Sequence, residues 1–487
     1  MNTALAEAVE RVDAAALRTA GRAPATPFCL TLADGSEVVV QRLLRVLPGK
    51  RIVGDGQWQG RRVLVKLFIG RRSTRHWAQE KAGIETLRRA GLPTPELLLA
   101  SSLAGEGQVL LTAYLDGSQS LAEAWAPLAG LPAGGVAALA VLQPALRMLG
   151  SMHAAGLVHD DPHLGNFLRC AGELFVIDGD AVGAVAPGKA LAEQRMSGNL
   201  ALLLAQLPMV WDGCRQELLA AYLAGGGRGI ADLTRLQREV KRARALRLED
   251  FVAKTARDCS LFAVERRAFR FTAVRRDAAQ DLVPLLASPD AAILGGTLLK
   301  DGRTCTVAKA EIAGRAVVIK RYNLKSLGHL LTRFWRPTRA WQSWRAGHRL
   351  RFLGLATPAP LALIEERVGP MRRRGFLVNE FCPGLNLLQL LSPDHEPDAE
   401  MASALIVLFG TLHALRISHG DLKATNLLWH DGQVFVIDLD ALVQHRSAQA
   451  HERAWRRDRE RFLRNWPATS ALHRWLAENL PPPASSG

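Results

Sequence analysis

Two stretches of the chain carry β-branched apolar runs broken by one lysine each. Residues 61–69 (RRVLVKLFI) hold Lys66, residues 315–322 (RAVVIKRY) hold Lys320, and both predict a strand. Farther along, LQPALRMLGSMHAAG (142–156) and ALIVLFGTLHALRI (404–417) place apolar residues at helical spacing and predict helices. Each helix leads into a polar loop, HDDPHLGNFL (159–168) or HGDLKATNLL (419–428). Each loop is followed by an apolar run ending in Ile-Asp, LFVIDGD (174–180) or VFVIDLD (434–440).

The same order therefore occurs twice. Asp161 to Asp178 and Asp421 to Asp438 are both 17 residues, the two lysines are 254 apart and the loop aspartates 260 apart. Four features kept in register over such a distance predict two homologous domains of similar size. The expected organisation is a first domain over 1–250, a connector or domain edge over 251–290, a second domain over 291–480 and a disordered tail over 481–487. The basic segment 234–276 reads as closing helices of the first domain or as a connector with a solvated helical face. Residues 454–466 (AWRRDRERFLRNW) read as an exposed helix supported by i,i+4 charge pairs.

Composition narrows the class. With 48% hydrophobic and 22% charged residues in a 487-residue chain, dominant disorder is excluded. The formal charge of +16 favours anionic partners, but no recognisable RNA- or DNA-binding module accompanies it. Six scattered cysteines form no CxxC pair, which argues against a zinc knuckle or disulfide scaffold and fits a reducing compartment. Residues 124–146 are uncharged but rich in Ala and Gly and broken by Pro127, Pro132 and Pro144, so no membrane span is expected. The start of the chain lacks a signal-peptide pattern.

The repeated set suits phosphoryl transfer. A strand lysine can pair with ATP phosphates, and a loop aspartate can orient a hydroxyl and accept its proton. An asparagine five residues on, with a strand-end aspartate, can hold Mg²⁺. Glycines for a phosphate-covering hairpin are available at Gly49, Gly54, Gly56 and Gly60, and more weakly at Gly295, Gly296 and Gly302. The run GAVAPGKA (183–190) nearly spells a P-loop but ends in Ala190, which has no hydroxyl for a metal.

HGDLKATN with Ile437-Asp438 resembles the loops of the protein-kinase-like superfamily, and HDDPHLGN with Ile177-Asp178 resembles its small-molecule branch. The segment EKAGIETLRRAGLPTP is similar to bacterial lipopolysaccharide core heptose and Kdo kinases. The resemblance implies an α+β fold of two tandem bilobal protein-kinase-like domains, each with a small β-rich N-lobe and a mainly helical C-lobe. It implies ATP and Mg²⁺ as cofactors. Lys66 and Lys320 would bind ATP phosphates, Glu80 would pair with Lys66, and Glu380 would sit at the hinge of the second nucleotide site. Asp161 and Asp421 would be catalytic, Lys423 would contact the transferring phosphate, and Asn166, Asp178, Asn426 and Asp438 would hold the metal. His159 and His419 would brace their loops.

The second copy departs at one place: counting back from the shared Gly-Leu-x-Thr-Pro turn, Ser343 stands where Glu80 does, leaving Glu365 or Glu366 as substitutes if the fold brings them near. The resemblance points to phosphorylation of lipopolysaccharide core, an anionic glycolipid, by a cytoplasmic enzyme at the inner face of the inner membrane. A protein kinase, another small-molecule kinase, and a membrane-associated pseudokinase scaffold are the rival readings. The arginine- and tryptophan-rich stretch 327–352 predicts a helix from about Thr338 that either packs on its own lobe or rests on an anionic membrane or glycolipid. Arg71, Arg72, Arg75 and His76 hold the comparable place in the first half.

Overall fold

The computed structural model describes residues 9–302, 304–323, 337–368 and 371–483. The chain divides into two units at Ala245/Leu246. In the first, a seven-stranded sheet runs in the spatial order Glu10–Arg11, Phe28–Thr31, Glu37–Leu47, Arg51–Trp58, Arg61–Phe68, Gln108–Ala113, Leu97–Ser102. A mainly helical lobe follows, built on Val136–Ala154, Glu193–Leu204 and Arg215–Ala224. The second unit repeats the plan, with helices Ala399–Ala414, Ala448–Leu463 and Ala471–Asn479 after its sheet. Both units thus have the bilobal, kinase-like α+β architecture.

The two sheets share five strands and extend them at opposite edges. The first adds its two N-terminal strands beside Glu37–Leu47. The second adds the hairpin Phe262–Arg267/Arg270–Arg275 beside Pro360–Val368. The segment 251–290, expected as a connector or domain edge, falls in the second unit, where it supplies this edge hairpin and the short helix Val283–Ala287. The basic segment 234–276 is helical as far as the helix Leu233–Lys254, whereas its hairpin carries charge on the solvent side of an edge strand. The last four residues of the expected tail, and 327–336 of the arginine- and tryptophan-rich stretch, lie outside the described residues.

Alternation in the lysine strand sorts its side chains between two faces. Val63, Val65 and Leu67 enter the sheet core, while Phe68 packs with Ile84 of the helix Ser73–Arg89 on the other side. Lys66 shares that second face, opposite Val53 and Leu110. In the second unit Val317 and Ile319 point to the core, and Tyr322 packs with Trp344 of the helix Arg339–Phe352. The part of 327–352 that is described is this packed helix: Trp344 and His348 are buried, with Arg345 exposed. Thr338 caps it by accepting the Trp341 N–H.

Residues 454–463 do form helix, within Ala448–Leu463, with one charged face exposed and the other buried. His451, Trp455, Asp458 and Phe462 recur at spacings of four, three and four and bury one full face.

The helix Ser73–Arg89 meets the loop after Asp178 backbone to backbone. A Cβ at Gly83 would lie 1.9 Å from the Gly179 carbonyl oxygen, and one at Gly179 would lie 2.5 Å from the Glu80 oxygen. Neither obstacle is a side chain that can turn aside. Gly83→Ala is expected to destabilise the first unit by about 3 kcal/mol, the upper range for overpacking, read as a lowered urea midpoint. An unchanged midpoint would mean the two backbones are not in contact.

Candidate active sites on two kinase-like units

In the first unit the helix Ser73–Arg89 delivers Glu80, fully buried, to the lysine strand. Lys66 Nζ forms an ion pair with Glu80 Oε1, and the same carboxylate accepts the backbone N–H of Gly179 (3.1 Å) and Asp180 (3.4 Å). Arg51 adds a contact to Asp180 at 3.0 Å and lies 3.9 Å from Glu80. One carboxylate thereby joins the lysine strand, the helix and the loop after Asp178. Asp178 itself is left-handed (φ 68°), a conformation rare outside glycine, so the turn that aims its carboxylate is held by its surroundings.

The Asp161 loop is braced by His159. The ring Nδ1 accepts the Asp161 N–H (3.2 Å), so Nε2 carries the proton and donates to the Ile177 carbonyl (3.3 Å). Burial lowers the His159 pKa, which keeps this neutral tautomer. Asn199, on the helix Glu193–Leu204, accepts the His159 N–H and donates to its carbonyl. Asn166 donates through Nδ2 to the Asp161 carbonyl (3.0 Å), so its amide oxygen is the atom it has to offer a cation.

The second unit keeps this frame and changes the counter-ion. Lys320 occupies the Lys66 position in the sheet, opposite Val307 and Leu377. Its ammonium lies 2.5 Å from Asp438 and 3.0 Å from Asp440. Asp440 also accepts Tyr322 OH (2.5 Å) and Ser343 Oγ (2.6 Å) and pairs with Arg339 (2.5 Å). Ser343, at the Glu80 position, thus binds the aspartate that replaces the glutamate. Neither expected substitute fills the role: buried Glu365 binds Thr338 and Arg367, and Glu366 binds Arg374. Lys320, Tyr322, Ser343, Asp438 and Asp440 line a cleft of about 50 Å³ with Thr357 and Pro360.

His419 repeats the brace, with the Asp421 N–H to Nδ1 at 3.3 Å and Nε2 to the Ile437 carbonyl at 2.9 Å. Asp458 replaces Asn199 and accepts the N–H of His419 and Gly420. Asp438 is left-handed like Asp178 (φ 60°), and Asn426 donates to the Asp421 carbonyl at 2.9 Å. Asp421 pairs with Lys423 at 3.1 Å and with Arg461. Burial works to raise the Asp421 carboxyl, but the hydrogen bonds from Lys423 and Arg461 outweigh it and hold the pKa below the usual range. Glu380 ends its strand opposite Val317, the position Ala113 takes opposite Val63, and pairs with Arg315 at 3.3 Å.

The aspartate two residues beyond the strand end behaves oppositely in the two units. Burial, together with the charges of Asp178 and Glu80, raises Asp180. At Asp440 burial also works upward, but Lys320, Ser343, Tyr322 and Arg339 overcome it and lower the pKa. Oxygens of Glu80, Asp178 and Asp180 gather within 4.8 Å of one another. Lys66 and Arg51 neutralise Glu80 and Asp180 in part. Asp178 and the Asn166 amide oxygen are the oxygen donors the sequence expects, a chemistry that suits a hard divalent cation such as Mg²⁺.

The structure brings the expected lysine, aspartate and asparagine residues of each copy into one region. Of the glycines, Gly49 and Gly302 lie at the hairpin before the lysine strand. Gly54 and Gly56 lie within a strand, with no room for a side chain, and Gly60 lies in the next turn. Arg51, Asp180, Tyr322, Arg339, Asp440, Asp458 and Arg461 escaped sequence reasoning. Only the second aspartate of IDGD and IDLD carried a signal, its repetition. A larger cleft of about 200 Å³, between Trp211 and Arg244, contains none of the motif residues.

The model of the lipopolysaccharide kinase (Kdo/WaaP) family matches residues 67–181 and 300–474, once in each unit. The lipopolysaccharide core heptose(I) kinase WaaP of Escherichia coli is 27% identical over 184 residues, 35% of this chain and 69% of that protein. Among solved structures, WaaP in complex with acyl carrier protein is 21% identical, covering 42% of this chain and 89% of that one, with a TM-score of 0.32. Vaccinia related kinase 3 is 16% identical, covering 48% and 89%, with a TM-score of 0.29. The family match spans more than half of the chain and falls on both copies of the motif set: the chain belongs to the lipopolysaccharide kinase (Kdo/WaaP) family, phosphotransferases that act on hydroxyl groups.

Proposed function

We propose that the chain transfers the γ-phosphoryl group of ATP to a sugar hydroxyl of lipopolysaccharide core, at the inner face of the inner membrane, with a site in each unit. The observation that carries this reading is the twice-built arrangement of a strand lysine anchored by a carboxylate beside a histidine-braced loop aspartate. Lys66 and Lys320 neutralise the nucleotide phosphates, each aligned by its acidic partner. Asp161 and Asp421 orient the acceptor hydroxyl and take its proton. The lowered pKa of Asp421 keeps it ionised for that role. Asn166 with Asp178, and Asn426 with Asp438, would hold Mg²⁺, which when bound supplies positive charge against the phosphates.

Lys423 and Arg461, which pair with Asp421, would meet the transferring phosphate of the second site. Arg71, Arg72, Arg75 and His76 are exposed before Glu80 and give the first unit a cationic approach for an anionic acceptor. Among the described residues no helix is long and apolar enough to cross a membrane, so membrane contact would be peripheral. Radiolabelled ATP should label extracted core glycolipid, with chelation of divalent metal abolishing transfer. Label in added polypeptide and none in glycolipid would favour the protein-kinase reading. ATP binding without transfer to any acceptor would favour a pseudokinase.

A further inference from the structure

We infer that the second unit carries a transition-metal site of the zinc class at His413, His451 and Glu452. His413 lies in the last turn of the helix Ala399–Ala414, and the other two are neighbours in the first turn of Ala448–Leu463. Glu452 Oε1 lies 3.3 Å from His413 Nε2 and 3.6 Å from His451 Nδ1. One donor atom from each of the three lies within 4.8 Å of the others. Two imidazoles and a carboxylate suit Zn²⁺ and leave one position for water, whereas Mg²⁺ prefers oxygen donors.

The two imidazoles are poorly partnered within the protein. His413 Nε2 has the Glu452 carboxylate beside it without a well-aligned hydrogen bond, while His451 Nε2 is a buried atom with no hydrogen-bond partner among the described residues, and His451 is only 1% exposed. Buried polar atoms are rarely left so. The first unit supplies an internal control. His153, 260 residues before His413, bonds through both ring nitrogens, to Tyr222 OH at 2.8 Å and Asn199 Oδ1 at 3.0 Å. The first copy thus satisfies its histidine with a phenol and an amide, while the second surrounds the equivalent ring with metal-ligating groups. His445, whose ring centre is 5.8 Å from that of His451, is committed to Ser418 (2.7 Å) and stands outside the ligand set.

A metal here would fasten together the two helices that frame the Asp421 loop. The helix that supplies His451 and Glu452 also supplies Asp458, which holds the loop backbone, and Arg461, which holds Asp421. The side chains of His413 and Glu452 are 32% and 25% exposed, which gives an ion a path in. The proposal does not depend on the acceptor of the kinase reaction.

The test is Zn²⁺ binding to tag-free full-length protein in excess Mg²⁺, with Co²⁺ as a spectroscopic probe. Wild type should bind Zn²⁺ at this site and show the visible absorption of low-coordinate Co²⁺ with imidazole ligands. Glu452→Gln and His413→Gln, both at partly exposed positions, should each weaken binding by more than about tenfold, because even outer-shell partners of a metal are worth that much. Absence of Zn²⁺ binding by wild type, or wild-type affinity in both variants, would overturn the proposal.

Discussion

Glu80→Gln should silence the first unit while leaving the second intact. The amide preserves size but removes the charge that faces Lys66, whose side chain is 12% exposed, and weakens the acceptor for the Gly179 and Asp180 N–H groups. Removing one partner of a buried pair leaves the other charge uncompensated, at a cost of about 3–5 kcal/mol. Lys66 would then be free to turn from the position proposed for the phosphates, and kcat of the first site should fall by about 10²–10³, as for loss of one preorganised charge-stabilising group. The measurement is phosphotransfer in an Asp421→Asn background, so that only the first site reports. Full activity in that background would mean that Lys66 is not positioned through Glu80.

Asp440→Asn is the corresponding lesion in the second unit, and its expected effect is comparable. Asp440 is where Lys320, Tyr322, Ser343 and Arg339 converge. Lys320 would keep only Asp438, the residue proposed to hold the metal, so binding Mg²⁺ and neutralising Lys320 would compete for one carboxylate. A loss of about 3 kcal/mol in stability is expected, with weakened ATP binding measured in an Asp161→Asn background. Adding Ser343→Glu should restore much of that binding, because it returns a carboxylate to the position Glu80 holds in the first unit. No recovery, with the double variant folded, would argue against exchange of the two counter-ions.

The pH dependence of this pair has a definite sign. Asp440 has a folded pKa below its unfolded value, so its contribution is fully present above the unfolded value and is lost as pH falls through the folded one. Acidification below about pH 4, the ordinary aspartate range, should therefore weaken wild type more than Asp440→Asn. Asp180 is raised instead, so its ionised form carries a cost that acid relieves. For Asp180 that relief comes above the ordinary aspartate range, as pH falls through its raised folded pKa. Urea midpoints from neutral pH down through the ordinary aspartate range, for wild type, Asp440→Asn and Asp180→Asn, should show the two variants moving in opposite directions relative to wild type.

The elements legible in the sequence are those whose signal is local. A β-branched strand with one lysine, an apolar helix, and two aspartates 17 residues apart can be read within short windows, and the repeat tests each against a second example. Partners chosen by tertiary contact could not be read in this way. Arg51 reaches Asp180 across 129 residues, and Tyr322 reaches Asp440 across 118. The absence of a glutamate at Ser343 was visible, yet nothing in the sequence showed that the second aspartate of IDLD takes over. The helix Ala448–Leu463 misled because its dense arginines obscure a buried stripe of His451, Trp455, Asp458 and Phe462. The hairpin at 262–275 carries no alternation that marks it as a strand pair, since Glu265, Arg266 and Arg267 follow one another on an exposed edge.

The most direct measurement is phosphate transfer from labelled ATP into core lipopolysaccharide by intact protein, Asp161→Asn, Asp421→Asn and the double variant. Two working sites predict partial loss in each single variant, loss of different labelled positions or of a share of one, and no label from the double variant. Full labelling by the double variant would contradict the account, because neither loop aspartate would then take part in the transfer.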